Sequence, residues 1–209
     1  YDRPNGNRIS LDLIRVPATD PENRQGAILS NPGGPGGSGV DFVTSFGPFV
    51  GQAYGQAVAE QFDFVGFDPR GINRSTPIRC FRNFEQSLTG AAPIAFPLVS
   101  EEVRLFRDAE RTLARACRSR STARTIGKHM STANVARDMD RLREALGEDY
   151  LNYVGLSYGS YLGNVYANLF PDRVRALVID GVLDPVAWLN EDGDIPFSTR
   201  LLSATGARD

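Results

Sequence analysis

The chain is poor in the residues that build disulfide scaffolds and metal sites. Its 209 residues include two cysteines and one histidine. Two cysteines are too few for a disulfide-dense fold, and their spacing fits no common metal-binding motif. The spacing alone leaves two alternatives open for Cys80 and Cys117: a pair of buried thiols, or one disulfide that closes a loop-rich region.

The chain also lacks a strong excess of either charge and lacks long apolar runs. Its formal net charge of −2 predicts no attraction to nucleic acid or to an anionic membrane surface. Its longest apolar stretches are only as long as a strand, so no membrane-spanning helix is predicted. The composition, 41% apolar and 23% charged, is that of a globular protein with one substantial core.

Apolar segments of strand length alternate with helical patterns along most of the chain. Asn5-Gly6 is a hairpin-turn signal. Strands are predicted at residues 8–16, 26–30, 62–67, 151–155 and 175–180. Helices are predicted within 40–60, over 101–118, after Thr132 and after the fourth strand, whereas residues 72–100 have a loop composition. This alternation predicts a parallel α/β sheet.

The helix after Thr132 has the clearest signals. Thr132 is the predicted N-cap, and Gly147 is the predicted stop. Between them, apolar residues three or four positions apart form one stripe: Val135, Met139, Leu142 and Leu146.

The pentapeptide Gly155-Leu156-Ser157-Tyr158-Gly159 stands between a predicted strand and a predicted helix. The order strand, Gly-x-Ser-x-Gly, helix is typical of a nucleophile elbow, a sharp turn that exposes a serine hydroxyl above a sheet. The positive end of the following helix also suits an oxyanion beside the serine. A plain turn with a capping serine is the alternative, and the context favours Ser157 as a nucleophile.

A glycine-rich loop at 31–39 follows the second predicted strand and fits two functions. Residues 34–39 match the G-x-G-x-x-G pattern of dinucleotide-binding loops, although Pro32 and Pro35 disfavour direct entry into a phosphate-binding helix. The loop also fits the second half of an oxyanion hole, whose first N–H group comes from the residue after the nucleophile, Tyr158. Ser157 favours the oxyanion hole over the dinucleotide site and over a merely flexible loop.

No histidine follows Ser157 to act as its general base. His129 precedes the serine, whereas the histidine of Gly-x-Ser-x-Gly hydrolases comes last, after the acid. His129 is therefore interpreted as a structural or surface residue. Asp180 stands where the acid could lie, but an aspartate before Gly181 is better interpreted as a turn residue.

Several motifs together resemble one family. Residues 31–36 resemble the His-Gly-Gly-Pro-Gly loop of prolyl iminopeptidases, with Pro32 in place of histidine. Residues 68–75 resemble the Asp-x-Arg-Gly-x-Gly-x-Ser turn of the same enzymes, with Asn73 in place of a glycine. These departures are more similar to the secreted tripeptidyl aminopeptidases of actinobacteria. That similarity extends to Thr132–Asp140, Gly155–Gly159 and Ile179–Pro185, so it covers nearly the whole chain.

The resemblance implies an α/β-hydrolase fold, of which this chain would hold the N-terminal half of the mostly parallel sheet. Residues 1–183 would belong to the core, and residues 184–209 would begin a cap insertion. Ser157 would be the nucleophile, and Gly34 and Tyr158 would donate the oxyanion-hole N–H groups. The resemblance further implies export from the cell and a disulfide between Cys80 and Cys117.

The implied activity is cleavage of short peptides from a free N-terminus through an acyl-enzyme on Ser157, and it requires no metal or cofactor. The catalytic Asp and His would come from a C-terminal segment or a second polypeptide absent from this chain, so the 209 residues alone are expected to be inactive. Two alternatives remain. One is a carboxylic ester hydrolase with the same machinery, and the other is a dinucleotide-binding oxidoreductase that uses the loop at 33–39.

Overall fold

A mostly parallel sheet of five strands organises the protein. The computed structural model describes residues 6–88, 90–91 and 97–185. The strands are β1 (Leu13–Val16), β2 (Gly26–Asn31), β3 (Phe62–Phe67), β4 (Leu151–Leu156) and β5 (Val174–Asp180). Their order across the sheet is β1-β3-β2-β4-β5, with β1 antiparallel to β3 and all other pairs parallel.

Eight α-helices connect and flank the strands within the described residues. They are α1 (Gly39–Phe46), α2 (Val50–Tyr54), α3 (Gln56–Gln61), α4 (Phe84–Leu88), α5 (Ser100–Ser119), α6 (Ser121–Ile126), α7 (Thr132–Ala145) and α8 (Tyr158–Leu169). None of these helices is long and apolar enough to cross a membrane.

The sheet and the helices next to it belong to one compact unit, formed by residues 1–77 and 129–183. A second unit consists of residues 78–128 and 184–209, and its described part includes α4, α5 and α6. In this second unit a disulfide joins Cys80 to Cys117 of α5, the pairing that the resemblance implies. The predicted division at residue 183 into core and cap stays a prediction, since residues 186–209 lie outside the described part.

The parallel sheet predicted from the sequence is confirmed, but the first strand is shorter than predicted. Only Leu13–Val16 pair with β3. The residues before them bond instead to the loop after β3: the Ser10 N–H donates to Thr76 Oγ1 at 2.8 Å, and the Asp12 N–H donates to Ser75 Oγ at 2.6 Å. Asn5 of the predicted hairpin turn lies outside the described residues.

Two predicted segments contain more helices than expected. The segment 40–60 holds three short helices, and Gly55, at φ +101°, separates the last two. The predicted loop at 72–100 contains the single-turn helix α4. By contrast, α5 lies close to its predicted bounds, and α8 follows the fourth strand as predicted.

The α7 helix packs its predicted stripe into the core against β4 and α8. Val135, Met139 and Leu142 are buried together with Tyr153 of β4 and Tyr166 of α8. The predicted N-cap was wrong by one residue. Ser131 is the N-cap, since its hydroxyl accepts the Asn134 N–H at 3.3 Å, and Thr132 is the first residue of the helix.

The centre of the sheet is the point where the chain reverses its direction across the strands. From β2 the chain proceeds to β3 on one side, and from β4 it proceeds to β5 on the other. Such a reversal leaves a crevice at the carboxyl ends of the two central strands, where α/β folds bind their ligands. The glycine-rich loop follows β2 and Ser157 follows β4, so both segments singled out in the sequence meet at this crevice.

A buried ion pair fastens α7 to the turn after β3. Arg70 donates from Nε and Nη2 to the two carboxylate oxygens of Asp138, each at 2.6 Å. The Arg70 side chain is 8% exposed and that of Asp138 is 7% exposed. Arg70 also donates to the backbone carbonyl of His129 at 2.9 Å, so one guanidinium fixes both the first turns of α7 and the residues before it.

We expect Arg70→Met to lower the free energy of unfolding by about 3–5 kcal/mol, because the buried carboxylate of Asp138 loses its guanidinium. The matched control is Arg111→Met, which breaks a pair with Asp108 at 3.2 Å whose side chains are 68% and 70% exposed. That change should cost at most about 1 kcal/mol. Urea unfolding of the intact protein measures both, and equal losses would contradict the structural role of the buried pair.

Candidate active site

Ser157 joins β4 to α8 in a backbone conformation that non-glycine residues rarely adopt. Its φ is +53° and its ψ is −122°. Such a conformation costs about 1–3 kcal/mol and persists only where the surroundings enforce it, commonly at functional sites. The side chain is exposed, although β4 just before it is buried. The predicted elbow geometry is therefore present, with an accessible hydroxyl at the N-terminus of a helix.

Hydrogen bonds on both sides of Ser157 hold this backbone. Its N–H donates to the carbonyl of Asp180, the last residue of β5, at 2.8 Å. Its carbonyl accepts the Ser160 N–H at 2.8 Å and the Ser160 hydroxyl at 2.6 Å. The neighbouring strand and the first turn of α8 therefore fix the turn from opposite sides.

The two glycines of the pentapeptide allow β4, α8 and β2 to approach one another. A Cβ on Gly155 would lie 2.3 Å from the carbonyl oxygen of Gly159. A Cβ on Gly159 would lie 2.6 Å from the carbonyl oxygen of Asn31 at the end of β2. Both distances are too short for any side chain, which explains why glycine occupies these positions.

The glycine-rich loop touches the elbow through Gly33. A Cβ on this residue, whose φ is +97°, would lie 2.4 Å from the Leu156 carbonyl oxygen and 3.0 Å from both Ser157 Cβ and Tyr158 N. The buried side chain of Asn31 holds the loop there, because its Oδ1 accepts the Gly33 N–H at 2.9 Å. The structure thus brings the loop next to Ser157, while the roles of Gly34 and Tyr158 as oxyanion donors stay predictions.

A buried carboxylate occupies the N-terminus of α1, just after the loop. Asp68, fully buried, accepts the Ser38 hydroxyl at 2.5 Å and the Val40 N–H at 3.3 Å. Dinucleotide-binding loops place a pyrophosphate at the N-terminus of the following helix. Because Asp68 already places a carboxylate there, the structure disfavours the dinucleotide alternative.

The Tyr158 side chain connects the elbow to α7. Its hydroxyl lies 2.6 Å from the hydroxyl of Thr132, the first residue of α7. Burial raises the pKa of the Tyr158 phenol, so the group stays protonated at neutral pH. Thr132, which was predicted to cap its own helix, instead supports the residue after the nucleophile.

His129 and Asp180 fit the structural interpretations preferred from the sequence. His129 is exposed, and its backbone carbonyl accepts hydrogen bonds from Arg70 and from the side chain of Asn134. No hydrogen bond joins its imidazole to Ser157 in the described part of the chain. Asp180 Oδ1 accepts the Gly181 N–H at 2.7 Å, which is a turn contact. Within the same part, no three His, Cys, Asp or Glu side chains are grouped to hold a metal ion.

Sequence reasoning missed three groups that shape the site: the side chain of Asn31, the carbonyl of Asp180 and the hydroxyl of Ser160. The first two act at strand ends that come together only in the folded sheet. Ser160 directly follows the pentapeptide, but its hydrogen bonds to Ser157 are a property of the first helical turn that no residue pattern marks.

Comparison with known proteins agrees with this geometry. Residues 26–199 match the family model described as alpha/beta hydrolase fold. The chain is 44% identical over 211 residues to tripeptidyl aminopeptidase of Streptomyces coelicolor, covering 96% of this chain and 37% of that protein. It is 39% identical over 210 residues to serine protease Hip1 of Mycobacterium tuberculosis, covering 100% of this chain and 38% of the relative.

A third relative is carboxylesterase B of Mycobacterium tuberculosis, which is 43% identical over 186 residues, or 88% of this chain and 34% of that protein. The chain therefore spans between 34% and 38% of the length of these curated relatives.

We expect Gly33→Ala to distort the elbow, because its Cβ would collide with the Leu156 carbonyl and press on Ser157. The matched control is Gly147→Ala, which has a similar φ of +76° but no atom within 4 Å of the added Cβ. The control should lose about 1 kcal/mol of stability from backbone strain alone. Urea unfolding should show a larger loss for Gly33→Ala, and identical losses would argue against contact between the loop and the elbow.

Proposed function

The chain belongs to the alpha/beta hydrolase family, and on that premise we propose that it carries the nucleophile of a serine hydrolase that cleaves short peptides from a free N-terminus. The observation that carries the proposal is the conformation of Ser157. The exposed hydroxyl stands on a strained strand–helix turn, at the positive end of α8, with a glycine-rich loop against it. Acyl transfer needs this combination of an accessible nucleophile and nearby backbone N–H groups.

In the proposed reaction Ser157 Oγ attacks the carbonyl carbon of the scissile bond while its proton passes to a general base. The resulting oxyanion accepts hydrogen bonds from the N–H groups of Gly34 and Tyr158, and the positive end of α8 adds to its stabilisation. Collapse of the tetrahedral intermediate releases the amine, which takes the proton from the base. Water then attacks the ester carbonyl as the base takes its proton. The base returns that proton to Ser157 Oγ when the ester bond breaks and the carboxylic acid is released.

The general base and its acid partner are assigned to a segment or polypeptide outside these 209 residues. His129 is the one histidine of the chain, and its backbone carbonyl accepts a hydrogen bond from the buried Arg70. In Gly-x-Ser-x-Gly hydrolases the acid and the histidine follow the serine in the chain. The longer relatives have ample length for both groups.

Peptides are the proposed substrates because two similar proteins are named as peptidases, the tripeptidyl aminopeptidase and serine protease Hip1. A carboxylic ester substrate is the second candidate, since the 43% identity to carboxylesterase B lies between the identities to the two peptidases. The serine chemistry is the same for both. The choice between them depends on the groups that bind the substrate, and the free amino terminus is the feature that separates the two classes.

Export from the cell is the proposed localisation. The Cys80–Cys117 disulfide supports it, because structural disulfides form and persist in oxidising compartments.

The intact protein here means these residues together with the proposed segment or polypeptide that supplies the general base. We expect a fluorophosphonate probe to label it at Ser157, because the probe reacts with an activated serine and its phosphonyl oxygen mimics the oxyanion. Ser157→Ala should abolish labelling and lower kcat by about 10⁴-fold or more. The matched control is Ser119→Ala, an exposed serine in the second unit that should leave both unchanged. Peptide mapping by mass spectrometry identifies the labelled residue, and label on another serine would refute the assignment of the nucleophile.

The intact protein should discriminate strongly between free and blocked amino termini. A site that binds a charged amino group leaves its own polar groups unpaired when the amine is acetylated, so kcat/KM for a tripeptide anilide should fall about 100-fold or more on acetylation. The matched measurement uses p-nitrophenyl esters of the same peptides. The deciding quantity is the ratio of kcat/KM between the free and acetylated forms within each series, because esters react faster than anilides for intrinsic reasons. A ratio near one in both series would favour the ester hydrolase.

A further inference from the structure

The hydroxyl of Ser160, the residue after the pentapeptide, both donates and accepts a hydrogen bond. The residue is 1% exposed. Its Oγ accepts the N–H of Leu183 at 3.0 Å and lies 2.6 Å from the Ser157 carbonyl oxygen. Because a backbone N–H can only donate, the Leu183 bond occupies a lone pair, and the hydroxyl proton must point to the Ser157 carbonyl.

The acceptor of that proton belongs to the peptide unit that links Ser157 to Tyr158. In a planar trans peptide the carbonyl and the N–H point in opposite directions, so fixing one fixes the other. The carbonyl of this unit receives two hydrogen bonds from Ser160, one from its N–H and one from its hydroxyl. The direction of the Tyr158 N–H is therefore set by Ser160.

The Leu183 bond connects this peptide unit to the segment that follows β5. This segment starts directly after Asp180, the last residue of β5, whose carbonyl accepts the Ser157 N–H at 2.8 Å. A helical serine that bonds back to the carbonyl three residues earlier is common and by itself structural. Here the hydroxyl also bonds to Leu183 in the segment after β5, so it fixes the position of the peptide unit relative to that segment.

We propose that Ser160 is a positioning residue for catalysis: its hydroxyl holds the peptide between Ser157 and Tyr158 so that the Tyr158 N–H faces the developing oxyanion. This role rests on the proposed function of Ser157 and adds to it a residue that never touches the substrate. Preorganised donors act because they need no reorientation as the charge develops. Loss of the hydroxyl lets this peptide unit rotate, which weakens the transition state more than the bound substrate.

The test compares Ser160→Ala with Ser30→Ala in the intact protein. Ser30 is also fully buried, and its hydroxyl donates to the Val65 carbonyl of β3 at 3.1 Å, on the side of β2 opposite to β4. Ser160→Ala loses two hydrogen bonds, the one donated to the Ser157 carbonyl and the one accepted from the Leu183 N–H, whereas Ser30→Ala loses one. Both variants should therefore lose a few degrees of Tm, and Ser160→Ala should lose more. Ser160→Thr keeps the hydroxyl and should restore the activity of the folded protein, since threonine in a helix makes the same back-bond.

For Ser160→Ala we expect kcat to fall about 10-fold or more, toward the roughly 100- to 1,000-fold loss that follows removal of an oxyanion donor, with KM changed less than about twofold. The inhibition constant of a peptide boronate, which forms a tetrahedral adduct on Ser157, should rise by a similar factor. Ser30→Ala should change neither quantity.

Equal kinetics and equal boronate affinity for Ser160→Ala and Ser30→Ala would overturn the positioning role while Ser157 labelling still supports the proposed function. Failure of a fluorophosphonate to label the wild-type protein, with full activity in Ser157→Ala, would overturn both. A parallel fall of activity and Tm in all three variants would assign Ser160 to stability alone.

Discussion

The left-handed backbone at Ser157 is the constraint on which the rest of the site depends. A serine at φ +53° is held against a cost of about 1–3 kcal/mol. Three elements meet it: the end of β5 through the Asp180 carbonyl, the first turn of α8 through Ser160, and the loop after β2 through Gly33. The site is thus assembled mainly from backbone contacts, which explains why glycine rather than polar side chains dominates its sequence.

A second layer of buried polar groups keeps these elements in place. Arg70 and Asp138 fix α7 to the turn after β3, and α7 in turn supports Tyr158 through Thr132. Asp68 closes the N-terminus of α1 at the far end of the glycine-rich loop. Among the described residues, no buried side-chain nitrogen or oxygen lacks a hydrogen-bond partner. The described surroundings that hold Ser157 in its strained conformation therefore leave none of their buried side-chain polar atoms without a hydrogen bond.

The sequence was sufficient for the features that local patterns encode. Periodicity placed β2, β3, β4 and the buried stripe of α7, and the Gly-x-Ser-x-Gly pattern located the elbow. It failed where tertiary contacts decide: residues 10–12 bond to a distant loop instead of continuing β1. Likewise Ser131 caps α7, while the hydroxyl of Thr132 meets that of Tyr158. The contributions of Asn31 and Ser160 depend on neighbours that only the folded sheet provides. The predicted cap at residues 184–209 stays a prediction, because residues 186–209 lie outside the described part of the chain.

The position of β2 beside β4 has a consequence for the order of events during folding. The side chain of Asn152 in β4 donates to the Ala27 carbonyl in β2, a contact that spans 125 residues of chain. Contacts this distant in sequence form slowly, because closing a long loop costs entropy before any packing compensates for it. During synthesis, β2 and its glycine-rich loop must wait until β4 and the elbow have emerged. The nucleophile and the loop beside it therefore meet late, and a nascent chain has no formed site until most of these residues have been made.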